Sequence, residues 1–230
     1  MSKVVHPYAH RLVILRDWKS HWFADKKYKD LLRSDVVIRE YLAKKLRGFY
    51  VSRVEIERNV KATKVIIHTS RPGMIIGRSG EGATKLKSDL SAILKKKGIV
   101  NPEDFKLDIV EVMNPDADAT IMACSIAEGL EKRLPYRRVI KQAIEKIMTA
   151  RGVKGARIYL GGRLAGSEIA RSEQIKRGSI PLQTFRADVD FAREKAHMSY
   201  GDIGIKVWIY RGEVFSTPST GPMTSRNNNK

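Results

Sequence analysis

The chain has 230 residues, with 44 Lys+Arg against 25 Asp+Glu, a formal charge of +19 and a pI near 10.1. Such an excess repels itself in a compact state unless a polyanion neutralises it, so nucleic acid is the leading partner and an anionic membrane surface comes second. A hydrophobic content of 42% is enough to bury a core, and a single cysteine, Cys124, excludes an internal disulfide and a CxxC zinc site.

The length suits one large or two small domains. No apolar run approaches the ~20 residues of a membrane span. The start lacks the basic, apolar and small-residue pattern of a signal peptide. A cytoplasmic protein with no membrane partner is expected. Cys124 lies in an Ala/Ile/Met stretch and reads as a small buried apolar residue.

Residues 1 to 24 read as a loop-like arm rich in anchors: His6, Pro7, Tyr8, His10, Arg11, Trp18, His21, Trp22 and Phe23. Aromatics among basic residues suit base stacking and phosphate contact; the alternative is a packed arm. The arm's three histidines find no second ligand cluster, so no metal is expected. Residues 25 to 47 read as a helix, with Ser34-Asp35 as N-cap before Val36, Val37, Ile38, Tyr41, Leu42 and Leu46. Gly48 marks its end. Val51 to Glu57 and Lys64 to Thr69 read as strands with a turn at Asn59.

Then comes Arg71-Pro72-Gly73-Met74-Ile75-Ile76-Gly77-Arg78-Ser79-Gly80-Glu81-Gly82. A strand leads in and a helix leads out, from about 81 to 97, with Leu86, Leu90 and Leu94 among lysines and a stop at Gly98. The turn between them is a Gly-x-x-Gly carrying Arg78 and Ser79. Two glycines let a nucleic-acid backbone approach, and amides at the next helix start can face phosphate. This resembles the KH loop, which clamps about four nucleotides of single strand. The alternative is an ordinary strand-to-helix turn. A P-loop fails on spacing, because Gly73 and Gly77 are three apart and Arg78 follows. A dinucleotide fingerprint from Gly80 fails at Lys85, and a nucleophile elbow on Ser79 fails at Glu81.

Asn101-Pro102 reads as a turn and Phe105 to Val112 as a third strand, giving a three-stranded sheet backed by helices, an α+β unit. Asn114-Pro115 marks a boundary, and Asp116 and Asp118 suit a helix start. Residues 117 to 133 and then a stretch to about 150 read as helices, broken at Leu134-Pro135. The second buries Val139, Ile140, Ala143, Ile144 and Ile147, yet its start carries Arg133, Arg137, Arg138 and Lys141. Cations there oppose the helix dipole; a nucleic-acid contact accounts for them better than a solvated charge run. Val153 to Leu160 reads as a strand, and Gly161 to Gly166 as irregular chain able to approach phosphate. Residues 131 to 177 hold 13 Lys/Arg and 4 Asp/Glu, or +9 of the total +19, so the basic footprint is localised. Thr184 to Phe191 and Ile203 to Tyr210 read as strands joined through Tyr200-Gly201-Asp202. The stretch 215–230 is Ser, Thr, Asn, Pro and Gly and is expected to be disordered.

The chain also resembles one family along nearly its whole length: the third protein of the bacterial small ribosomal subunit. The matching stretches are Val5-His6-Pro7, Arg11-Leu12, Trp22-Phe23-Ala24, Val51-Ser52-Arg53, Ile67-His68-Thr69, Arg71-Pro72-Gly73 with Ile76-Gly77, Gly162-Arg163-Leu164, Glu168-Ile169-Ala170-Arg171, Pro181-Leu182, Arg186-Ala187-Asp188, and Tyr200-Gly201 with Gly204, Lys206-Val207-Trp208-Ile209. The resemblance implies an arm and helix start over 1–37, a type II KH domain over 38–112, a second α/β domain of two layers over 113–214 and a tail over 215–230. It implies ribosomal RNA in the lower part of the subunit head, messenger RNA, and small-subunit proteins ten and fourteen as partners. It also implies a basic cluster that grips messenger at its entrance and helps unwind it, here Arg137, Arg138 and Lys141. The KH loop would be Gly77, Arg78, Ser79 and Gly80. Ribosomal RNA contacts would include His6, Arg11, Trp22, Arg163, Arg171 and Arg177. Arg78-Ser79 stands where the family commonly has two lysines. Ala165 and Ser167 stand where it has glycine and alanine.

Two other classes compete. A free-standing KH regulator accounts for the loop and the charge but not for the basic second domain. A nuclease needs clustered carboxylates with metal, or an acid–base pair. Asp188 and Asp190 share a strand face but have no third ligand, and helix capping accounts for Asp116 and Asp118. No enzyme, cofactor or small-molecule substrate is expected.

Overall fold

The computed structural model describes residues 5–59, 62–97 and 104–215. The arm contains a one-turn helix α1 (Pro7–His10) and a two-residue strand β1 (Ser20–His21). Helix α2 (Tyr28–Lys45) precedes β2 (Val51–Arg58) and β3 (Ala62–Thr69), an antiparallel pair. The short α3 (Pro72–Ile76) and then α4 (Glu81–Lys96) lead to β4 (Asp104–Glu111), parallel to β3. The sheet order is β1-β2-β3-β4, so it has four strands where three were expected. The extra strand is the arm itself, with Ser20 opposite Ile56. A two-residue strand has no period to read. The helices cover one face of this sheet: Ile38 and Leu42 of α2 and Leu86, Leu90 and Leu94 of α4 pack with Ile56, Val65 and Ile67.

The expected cap at Ser34-Asp35 is not a cap. α2 begins at Tyr28 without a side-chain cap, and both residues are buried inside the helix. The Trp22 indole donates to Asp35 at 2.8 Å, and Arg58 donates to Asp35 and to Ser34. The polar pair thus ties the arm and β2 to α2. Its capping chemistry is real, but burial against an arginine uses it elsewhere.

In the second unit, α5 (Ala119–Glu131) and α6 (Tyr136–Thr149) lie on one face of an antiparallel sheet of order β6-β5-β8-β7. Its strands are β5 (Gly155–Gly162), β6 (Arg171–Gly178), β7 (Ala187–Met198) and β8 (Gly201–Glu213). Ile126, Ile140, Ile144 and Ile147 pack on Ile158, Leu160, Ile205 and Val207. Each such side chain contributes about 1.5–3 kcal/mol by leaving water. Gly161-Gly162, read as irregular, complete β5. β7 runs past its expected end at Phe191 because its inward positions there include Ala192 and Ala196, which carry little β signal, and β8 extends to Glu213 by pairing with Ala187. β6 was not expected at all. Ile175 is its one apolar residue, as suits an edge strand that charge protects from further pairing.

The other face of this sheet carries Val189, Trp208 and Tyr210, packed with Ile180 and Leu182. Asp118 joins the two units. Its Oδ1 caps α5 by accepting from Thr120 N and Ile121 N at 2.9 and 3.1 Å. Its Oδ2 accepts from the Ser52 hydroxyl of β2. Asp116 sits in the 3-10 turn just before. The expected Gly98 stop, the Asn101-Pro102 turn and residues 216–230 of the tail lie outside the described residues.

Candidate nucleic-acid interface

The Gly-x-x-Gly turn joins the short helix α3 to α4, so a helical turn stands between β3 and the loop where the strand was expected to lead in directly. α3 ends at Gly77, whose φ of 72° and ψ of −174° fall in a region essentially limited to glycine. Arg78 to Gly80 make one 3-10 turn, with Ser79 at φ 50° and Gly80 at φ 81°. α4 then starts with no side-chain cap, which leaves its first amides for a ligand or solvent. A Cβ on Gly80 meets nothing within 4 Å, so the backbone there is open to an approaching strand. The side chains of Arg78, Ser79, Lys85 and Lys87 are all exposed.

Gly82 has a role that sequence left unread. A Cβ there would lie 2.5 Å from the Ile75 carbonyl oxygen and 2.9 Å from that of Ile76. Its lack of side chain lets α4 close on α3 and sets the pitch of the turn. A third glycine two places after Gly80 was the available signal.

The second basic element is the start of α6. Pro135 precedes it with no side-chain cap, and no acid occupies its first turn. Arg137, Arg138 and Lys141 are exposed, while Val139, Ile140 and Ala143 point into the core. Arg137 Nε lies 3.4 Å from Glu173 Oε1 on β6, and Arg177 of β6 lies 3.8 Å from Glu145 Oε1 on α6. Eight helical residues rise about 12 Å and four strand residues about 13 Å. The two pairs therefore fit a helix and an edge strand running side by side in the same direction. Arg171 alternates with Glu173, Ile175 and Arg177, so it continues the basic face past the start of α6. Exposed pairs of this kind hold little energy, and phosphate can exchange for their carboxylates.

Four of the expected contacts with ribosomal RNA are engaged inside the protein. Arg11 is fully buried. Its guanidinium donates to the carbonyls of Ala187 (2.6 Å), Pro7 (3.0 Å), Pro181 (3.2 Å), Leu182 (3.0 Å) and Thr184 (2.9 Å). Arg11 is thus a clamp that seats the arm on the second unit and has no face for RNA. Half-buried His6 caps α1 by accepting from Ala9 N and stands edge-on to Phe191 at 4.7 Å. Burial, then Arg193, lowers its pKa, so it is a neutral ring rather than a phosphate cation. Trp22 is tethered to Asp35. Arg163 organises its own loop, donating to Ser167 O at 2.9 Å and Tyr200 O at 3.3 Å. Arg171 and Arg177 are exposed.

The Asp188 and Asp190 pair is held by arginines. Arg16 reaches Asp188 at 2.6 Å and Arg211 reaches Asp190 at 3.0 Å. Burial lowers the Arg16 pKa, but Asp190 and Asp188 outweigh it and leave a net rise. Cys124 is half-buried rather than fully buried, and burial pushes its thiol up to about 12.

Comparison with known proteins agrees with both units. A KH domain model matches residues 37–117, and a model described as ribosomal protein S3, C-terminal domain, matches residues 126–209. The chain is 45% identical over 217 residues to the small ribosomal subunit protein uS3 of Listeria welshimeri, covering 94% of this chain and 96% of that one. It is 43% identical over 217 residues to the Exiguobacterium sibiricum protein of the same name, with the same coverage. It is 46% identical over 215 residues to that of Clostridium botulinum, covering 93% of each.

Proposed function

The chain belongs to the ribosomal protein uS3 family, structural components of the small ribosomal subunit in the cytoplasm, and from that premise we propose that it guides messenger RNA at the subunit's entrance. Arg137, Arg138 and Lys141 hold the messenger, Arg171 and Arg177 extend the surface along β6, and the Gly77–Gly80 turn clamps RNA through its backbone. In the same reading the chain binds ribosomal RNA in the lower part of the head, beside small-subunit proteins ten and fourteen. The observation that supports it most is the α6 start: three cations project from a helix whose other side is core, at the end where the dipole disfavours them. The exposed Arg137–Glu173 pair holds little energy, so folding gains little from that arrangement, whereas a polyanion can engage all three cations.

The test is translation by reconstituted small subunits carrying Arg137→Ala, Arg138→Ala and Lys141→Ala together. Passage through a stable hairpin just downstream should slow, while an unstructured messenger should be read almost normally. Equal slowing on both messengers would indicate an assembly defect. No slowing on either would remove the entrance role.

A further inference from the structure

A cavity of about 480 Å³ opens beside the entrance cluster, between the start of α6, the 3-10 turn at Leu164–Gly166 and the β7–β8 turn. Its walls include Leu134, Pro135, Tyr136, Ala165, Met198 and Tyr200, and its charged side is Arg133 and Arg137. The volume falls within the roughly 300–1,000 Å³ of small-ligand sites. Tyr136 and Tyr200 are half-buried against the core, which fixes their rings. Each ring carries a guanidinium at 5.8 Å from its centre, Arg137 over Tyr136 and Arg163 over Tyr200. Leu134 keeps 47% of its surface exposed at the rim.

We propose that this cavity receives one unstacked base of single-stranded RNA, with the flanking phosphates on Arg133, Arg137, Arg138 and Lys141. The proposal rests on the reading of that cluster as a messenger contact. Flat apolar walls with aromatic rings suit the faces of a base, whatever its identity. The surrounding cations suit the chain that carries it. A neutral apolar ligand would make no use of the surrounding cations, and an anion alone would leave the apolar walls wet. A base already out of a duplex enters most easily, because the cost of unstacking has been met. The cavity therefore selects single strand over duplex, and a base held there cannot re-pair at the edge of a hairpin.

The test uses small subunits containing the full chain, programmed with messengers that carry one 4-thiouridine at successive downstream positions, so that register is fixed. Irradiation should crosslink one or two adjacent positions to the segment 134–137 or 198–200. The yield should fall about fivefold or more with Tyr136→Ala and with Met198→Ala, as expected for loss of a stacking wall. Crosslinks confined to Arg138 and Lys141, or yields unchanged in both variants, would overturn the proposal. Melting curves identify a variant that fails to fold, and the crosslink site in the unaltered chain depends on neither variant. The two readings separate when the crosslink is read in the unaltered chain and hairpin passage in the triple alanine variant. Slowing of that variant on hairpins, with no cavity crosslink in the unaltered chain, removes the base site alone. A cavity crosslink in the unaltered chain, with no hairpin slowing in the variant, removes the entrance role alone.

Discussion

Gly77 and Gly80 look equivalent in sequence, yet the structure assigns them different constraints. Gly77 occupies a conformation that only glycine adopts readily, and its Cβ would lie 3.2 Å from Gly82 N. Gly80 is left-handed but open, and aspartate tolerates that region better than most residues. Gly80→Asp should therefore weaken RNA binding with little change in melting, because it places a carboxylate where phosphate approaches. Gly77→Asp should weaken binding and also lower melting. Arg78→Ala should cost less affinity than either, as measured by titration of the chain with single-stranded RNA. If Arg78→Ala is the worst of the three, the loop works as a point charge and not as a backbone clamp. Arg11 shows the opposite limit of legibility. An arginine in a basic arm reads as a phosphate contact, and nothing nearby says otherwise. Its acceptors include Ala187, 176 positions away. Arg11→Lys keeps the charge but loses the planar fork. It should destabilise the chain by about 3 kcal/mol or more, because buried carbonyls lose charged donors. Chemical denaturation checks this; an unchanged midpoint would mean that the arm is not clamped there.

At the scale of elements, what was legible followed period. α6 was read correctly because Val139, Ile140, Ala143 and Ile147 repeat on one side while Arg137, Arg138 and Lys141 fall on the other. The same separation means that the triple alanine variant should melt almost as the parent does, which makes its translation phenotype interpretable. α4 was legible for the same reason, with Leu86, Leu90 and Leu94 buried along it. β6 was not, since seven of its eight residues are polar, charged or glycine, and its strand character comes from pairing with β5. Missing β6 also hid the partner of the basic helix. From sequence, Arg137 and Arg177 belonged to separate contacts; through Glu173 and Glu145 they share one surface. The helix over 25–47 was legible, but the cap assigned to Ser34-Asp35 was not, because only the positions of Trp22 and Arg58 reveal how those side chains are used.

For the whole molecule, the charge of +19 overstates what is available to RNA. Arg11 is enclosed by carbonyls, Arg16 and Arg211 hold Asp188 and Asp190, and Arg58 is buried on Asp35. These cations support the fold and should release no counterions on binding. Exposed cations are spread over the surface, and two groups of them lie at the proposed contacts: Arg78, Lys85 and Lys87 near the glycine turn and Arg137, Arg138, Lys141, Arg171 and Arg177 on the α6–β6 face. On a single strand each neutralised phosphate contributes about −0.7 to the slope of log affinity against log salt. Five contacts from those two places would give a slope near −3.5, well short of what the total charge suggests. Replacing Arg137, Arg138 and Lys141 by alanine should make the slope shallower by about 2, since three phosphate contacts disappear. Arg11→Lys should leave it unchanged. The measurement is the affinity of the intact chain for one single-stranded RNA over a range of salt concentrations. A slope near zero in the parent would remove the polyanion argument. An unchanged slope in the triple variant would show that those three residues touch no phosphate on the bound strand.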